Sequence, residues 1–414
     1  MLQAERQGVK ADEAVSNAVS LEERIAAFMA AFSVDDVESW EHQNGVPRSV
    51  MDRLGRQGLL GAMISKDYGG LEQSAFQYGV LCSEIAQMSM SLLSMLTVHS
   101  MASEGIRQWG TDEQRAHWLP QLASGALHGA FALTETAFGS EATGLETRLT
   151  PTSEGYHLNG EKQWISYAQC ADVFLVFAQS GDTSTESLAC LIPASSPGLS
   201  IEPVDDMMGF KASHLGQLHF NDCLVTLDRI LGKAGMGIPY IASSVLDLGR
   251  LSIAWGCVGA MAALIADSVD YSSQRQQFGQ PIAEHQLIQR MLANMITQYK
   301  ASHALCTRAA QLRDASDPRA VMETTVAKYF ASTASVAAVN DALQIHGARG
   351  FSKSAGRIER FYRDLKVTEI IEGSSEMQQI MIAQNGAGEF RRLGKNYRRK
   401  LQAHSGRSPT RSSA

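Results

Sequence analysis

The chain has 414 residues, 44% of them hydrophobic and 19% charged, with a net charge of −7. This length exceeds one ordinary domain, so two or three packed units are expected, and the acidic balance argues against general nucleic-acid binding. Six cysteines without a C-x-x-C pair indicate neither a zinc cluster nor a disulfide framework and suit a reducing cytoplasm.

In chain order, Met1 to Asn17 is polar, with no apolar leader, and residues 1–20 read as a flexible arm. From Leu21 to about Ser124, apolar residues three and four apart, such as Leu21, Ile25, Phe28, Met29 and Phe32, predict a helical unit over 21–130. A turn breaks it at Tyr68-Gly69-Gly70. A β unit is expected over 131–240. Within it Asn159-Gly160, between apolar segments, predicts a hairpin turn, and Val173–Ala178, Leu188–Ile192 and Leu215–Val225 read as strands. Long helices return over 251–273, 284–313 and 318–346, inside a helical unit over 241–390. The apolar run Leu251–Ala266 falls short of the roughly 18 to 20 residues of a membrane span and reads as a buried helix, so no membrane association is expected. The order is helices, an antiparallel β insert, then helices, which is an α+β fold. Residues 391–414 carry eight basic residues and no acid. They read either as a flexible charged end or as a contact for an acidic partner, such as a phosphopantetheine carrier domain.

Several segments carry candidate chemistry. Ser375 and Gln378 have the spacing of a capping box, which predicts a helix start there. Glu372 then lies just outside that helix, on backbone that Gly373 lets turn sharply. Such a carboxylate is either a base for a carbon acid or an ordinary solvated glutamate. Phe131 to Ala142 mixes hydroxyls, a glycine and small residues, and is either an anion- or heterocycle-binding stretch or a plain loop. Trp164-Ile165-Ser166 sets an indole either against a flat ring or in a β core. Arg275 to Gly279 and Glu284-His285-Gln286 flank a turn where Arg275 can pair with phosphate. No second His or Cys stands near His285 at ligand spacing, so no metal is expected. Gln344 to Phe351 is a glycine-punctuated helix end. Neither a Rossmann G-x-G-x-x-G order nor a phosphate-binding G-x-x-x-x-G-K-[ST] loop is present.

Taken in order over about residues 45 to 385, these segments resemble the acyl-CoA dehydrogenase family. Phe131 to Ser140 is similar to its flavin-contacting L-T-E-P-x-A-G-S element, and Trp164-Ile165-Ser166 to its W-I-T. Arg275 to Gly279 is similar to R-x-x-F-G, and Gln344 to Phe351 to Q-x-x-G-G-x-G-[YF]. Arg363 to Lys366 with Ile371 to Glu376 resembles R-D-x-K followed by I-Y-E-G-T-S.

The resemblance implies N-terminal helices, a middle β-barrel-like domain and a C-terminal four-helix bundle, with FAD between the last two. It implies FAD contacts from Phe131, Leu133, Thr134, Gly139, Ser140, Trp164, Ile165 and Ser166. Further contacts are implied from His285, Gln286, Ser374, Ser375 and Glu376. Arg275, Phe278, Gln344, Gly347 and Ala348 would reach the FAD of another subunit in a homodimer or homotetramer. Substrate contacts fall on Ser140, Asp247, Arg250 and Gly373, and Glu372 matches the family's catalytic base. An alternative base position in the family corresponds to Gly249, which carries no carboxylate. The implied reaction is α,β-dehydrogenation of an acyl thioester: Glu372 removes the α-proton, its N–H and a flavin hydroxyl hold the carbonyl, and hydride passes to flavin N5.

Thr136, Phe138, Thr226, Ala348 and Ser374 depart from the family's usual residues. With the basic tail they point to an unusual acyl group or one tethered to a carrier protein in a biosynthetic pathway. The electron acceptor is expected to be an electron-transfer flavoprotein or dioxygen. An oxidase or oxygenase on the same fold, and a non-catalytic scaffold, are the competing readings.

Overall fold

The computed structural model describes residues 19–181, 186–353 and 356–404. Most of the expected arm, and the tail beyond His404, lie outside the described residues. The N-terminal helices are α1 (Leu21–Met29), α2 (Val34–His42), α3 (Arg48–Arg56), α4 (Ala75–Met88), α5 (Met90–Trp109) and α6 (Asp112–Ser124). Four of them begin at a reciprocal cap. Ser20, Ser33, Ser74 and Thr111 each accept from the N3 amide while the N3 side chain accepts from the cap amide. Gly69, at φ 78°, ends the 3-10 turn Lys66–Tyr68 where the sequence predicts a break.

The middle unit holds β1 (Gly129–Ala132), β2 (Arg148–Thr152), β3 (Gly155–Ile165), β4 (Val173–Ser180), β5 (Ser187–Pro193), β6 (Leu199–Pro203), β7 (Gly216–Val225) and β8 (Ile230–Leu231). They form one eight-stranded sheet in the order β6-β7-β3-β2-β4-β5-β8, with β1 beside β4. Most pairings are antiparallel, but β1 and β2 both run parallel to β4. β4 is buried along nearly its whole length, which explains its unbroken apolar sequence Val173 to Ala178.

One hairpin is not where the sequence puts it. Asn159-Gly160 lies inside β3, at a register shift against β7, and the turn falls instead between β2 and β3. Gly160, at φ 132°, brings the strand so close to Thr147 that a Cβ would stand 2.7 Å from the Thr147 Cα. Asn159 reaches Asp222 across the bulge, accepting from its amide at 2.8 Å. The dipeptide serves a bulge and a close backbone approach.

The C-terminal helices are α7 (Ser243–Gln274), α8 (Gln286–Asp314), α9 (Ala320–His346), α10 (Ile358–Val367) and α11 (Ser375–His404). A turn of π-helix, Gly237–Ala242, leads into α7. α7 is apolar and long enough to cross a bilayer, yet its most apolar window is 89% buried within the protein, against α4, α5, α8 and α9. The basic residues from Arg391 to Lys400, expected in a flexible tail, stand on the continuation of α11. The segment lacks proline and is rich in good helix formers.

The bundle is fixed to the sheet unit by Arg363 and Asp364 on α10. Asp364 accepts from the Phe210 amide at 2.8 Å, and Arg363 donates to the Met208 carbonyl at 3.0 Å. The turn that follows α10 is therefore anchored before it reaches Glu372.

Candidate active site

Glu372 sits in the turn between α10 and α11 with φ 55°, followed by Gly373 at φ 88°. A left-handed glutamate is a strained arrangement that its surroundings must impose. Three donors impose it. Arg250 Nε donates to the Glu372 carbonyl at 3.1 Å, Lys328 Nζ to the Gly373 carbonyl at 2.7 Å, and Gln378 Nε2 to both at 3.1 and 3.2 Å. The helix start is one residue earlier than its sequence predicts. Ser374, whose Oγ accepts from the Met377 amide at 3.4 Å, takes the capping place. Ser375 is the first helical residue and Gln378 turns back onto the Glu372-Gly373 carbonyls.

As a residue Glu372 is half-buried, but its Oε2 is sealed from solvent and has no hydrogen-bond partner. Burial pushes its carboxyl up to about 7, against the pull of Arg250 and then Lys328. Gly249 makes room for it. A Cβ on Gly249 would stand 2.6 Å from the Glu372 carboxyl carbon and 2.9 Å from the Met101 sulfur. Lys328, the clearance at Gly249 and the contact of Gln378 with the Glu372-Gly373 carbonyls escape sequence reasoning. The one available signal for Lys328 is a lysine in the otherwise uncharged stretch Thr324 to Asn340 of α9.

The expected substrate contacts divide. Arg250 is engaged with the Glu372 carbonyl. Asp247 lines a cavity of about 710 Å³ with Trp109, Tyr240, Glu104 and Arg313. There it pairs with Arg313, while its Oδ1 is buried without a partner and burial raises its carboxyl above the usual range. Arg313 also approaches Glu104 at 3.5 Å.

The expected flavin contacts from the sheet unit surround the end of β1 and of β3. Phe131 and Leu133 are buried, and the Thr134 carbonyl accepts from the Gln163 amide at 2.9 Å. Glu135 is held against the fully buried Lys162 at 2.6 Å. Burial raises its carboxyl, but Lys162 outweighs that and leaves it below the usual range. Trp164 keeps 47% of its surface exposed at φ 59°, Ile165 is buried, and Ser166 accepts from Ser94 at 2.8 Å. The departures are accommodated locally: Thr136 bonds Glu161, and the Phe138 ring lies over Gly144. Gly139 has open space where a side chain would stand. An exposed indole at the end of β3 and an open glycine in the loop after β1 suit a flat aromatic cofactor with polar substituents.

Arg275, Gly347 and Ala348 come together elsewhere, on a cavity of about 1280 Å³ that also takes Arg349 and Arg357. Next to it, Phe278 is 95% exposed at φ 54° on the short hairpin of Gln276–Gln277 with Gln280–Pro281. His285 braces that hairpin through the Gln277 carbonyl at 3.2 Å. Among the described residues no group of His, Cys, Asp or Glu is placed to hold a metal ion.

The N-terminal, middle and C-terminal domains of acyl-CoA dehydrogenases match residues 17–126, 130–223 and 235–387. An acyl-CoA dehydrogenase of Bacillus subtilis (strain 168) is 35% identical over 349 residues, 84% of this chain and 91% of that protein. The chain belongs to the acyl-CoA dehydrogenase family. Within the family it is also 36% identical to an acryloyl-CoA reductase (NADH) of Anaerotignum propionicum, over 87% of this chain and 92% of that one. A solved glutaryl-CoA dehydrogenase from Mycobacterium smegmatis in complex with FADH2 superposes with a TM-score of 0.82 at 26% identity, covering 88% of this chain and 94% of that one. A solved prolyl acyl carrier protein oxidase also gives a TM-score of 0.82 at 26% identity, covering 88% and 97%. These superpositions support the α+β class read from the sequence.

Proposed function

We propose that this acyl-CoA dehydrogenase-like flavoenzyme oxidises the α,β-bond of an acyl thioester, with Glu372 as the base. The observation that carries the reading is the solvent-sealed, partnerless Oε2 of Glu372, with its carboxyl pushed up to about 7. A thioester α-proton is a weak acid, and its removal needs a positioned base whose proton affinity approaches the working pH. Burial supplies that affinity, and Arg250 and Lys328 keep the carboxyl ionisable. The Glu372 N–H is the proposed donor to the developing enolate oxygen. FAD, the family's cofactor, supplies the acceptor for the hydride leaving the β-carbon. Trp164, Ser166 and the segment Phe131 to Ser140 would hold its ring. Arg275, Phe278, Gln344, Gly347 and Ala348 would serve the FAD of a neighbouring copy in a dimer or tetramer.

The thioester arm is assigned to the cavity beside Asp247. The departures at Thr136, Phe138, Thr226, Ala348 and Ser374, together with the basic stretch of α11, favour a carrier-protein thioester in a biosynthetic setting. The proposed acceptor for the electrons is an electron-transfer flavoprotein or dioxygen, and six free thiols fit a cytoplasmic location. To test the reading, matched acyl-CoA and acyl-carrier thioesters are mixed with oxidised protein under nitrogen and the visible absorbance is followed. Bleaching by the carrier forms faster than by the CoA forms is expected. The reverse order overturns the carrier assignment, and no bleaching by any thioester overturns the dehydrogenation.

A further inference from the structure

Lys328 is fully buried in α9, yet its Nζ donates to a main-chain carbonyl, that of Gly373, at 2.7 Å. Among the described residues no carboxylate lies within 4 Å of it. A buried ammonium with no carboxylate in ion-pair contact is costly, and an apolar side chain on the small-residue face of α9 would pack there at lower cost. The position is explained by what the ammonium faces. It points at the turn that carries Glu372, whose two carbonyls also receive Arg250 and Gln378.

We propose that Lys328 is a positioning residue for the base: it clamps the left-handed Glu372-Gly373 turn and supplies positive charge that favours the Glu372 carboxylate. This rests on Glu372 acting as the base. The clamp holds the peptide by its carbonyls, while the carboxyl lies against Gly249. The charge opposes burial. Around Lys328 stand Cys257 and Arg250 from α7, and Glu372 and Glu369 from the turn after α10. Arg250 is the other cation that acts on Glu372. Burial in turn pulls the Lys328 ammonium down to about 8, so the base and its clamp titrate close to each other.

The test uses holoenzyme of the wild type, Lys328→Met, Lys328→Gln and Glu372→Gln. Infrared absorption of protonated carboxyl groups is followed against pH without substrate, and the band absent from Glu372→Gln reports the base. Its midpoint is expected to rise by about one pH unit in both Lys328 variants, because a nearby opposite charge is lost. The acid limb of single-turnover flavin reduction is expected to move with it. Lys328→Gln keeps a donor for the Gly373 carbonyl and should lose less of the high-pH rate than Lys328→Met, which is expected to lose about tenfold or more through misplacement. An unmoved midpoint in both variants overturns the proposal. If Lys328→Met does not fold, the midpoint of Lys328→Gln decides alone. If Glu372→Gln reduces flavin as fast as the wild type, the base reading itself fails, and the proposal with it.

Discussion

At Gly249 the missing side chain is what lets Glu372 reach its place, since a Cβ there would press on the carboxyl carbon at 2.6 Å. Gly249→Ala is therefore expected to leave folding nearly intact and to cost about a hundredfold in flavin reduction, the penalty of displacing a base by about an ångström. Stopped-flow reduction beside circular dichroism checks it. The titration of Glu372 has a sign that unfolding can read. The folded carboxyl binds its proton up to about 7, whereas an unfolded glutamate releases it near 4.5. Between those values the native state holds more protons than the unfolded chain, so this residue makes stability fall as pH rises and adds no further change above about 7. Glu372→Gln removes that loss. Its stability relative to the wild type is expected to grow by about 2 kcal/mol between pH 5 and pH 8, measured by denaturant unfolding. A constant difference across that range would contradict the raised titration. The glutamate and its glycine were legible as residue types and spacing. The pressure of Gly249 and the reach of Lys328 were not, because they join residues more than forty positions apart.

At the scale of elements, the helices were legible because apolar residues recur with helical period, as at Leu21, Ile25 and Phe28 of α1. The central strands were legible for a different reason: β4 is buried on both faces and its sequence is apolar throughout. The short strands β1 and β6 lack a pattern of their own. β1 is recruited by its parallel neighbour β4, a contact no local window contains. Asn159-Gly160 misleads because the same glycine freedom serves a two-residue turn and a bulge equally well. Gly160→Val is expected to destabilise the protein by about 2 kcal/mol through the backbone at φ 132° and the contact with Thr147. Urea unfolding measures this, and a neutral result would mean that the bulge relaxes without strain.

Across the whole molecule the base comes from the bundle, the exposed indole from the sheet unit, and a second group of expected cofactor contacts lies apart from both. That separation is legible only through the family resemblance, since no sequence window links Trp164 to Arg275. It also predicts that the site is completed by assembly. Phe278→Asp, which replaces a ring 95% exposed in the isolated chain by a charge, is expected to lower the oligomeric mass and the FAD content together, by light scattering and absorbance. Retention of both would mean that Phe278 serves neither. The proposal stands or falls on the Glu372 carboxylate removing a proton from carbon. Its most direct measurement is anaerobic single-turnover reduction by a bleaching thioester, made with ordinary and α-deuterated acyl groups, in wild type and Glu372→Gln. The account predicts slower reduction of the deuterated form by the wild type and at least about a hundredfold loss in Glu372→Gln with FAD still bound; equal rates for the two proteins would contradict it.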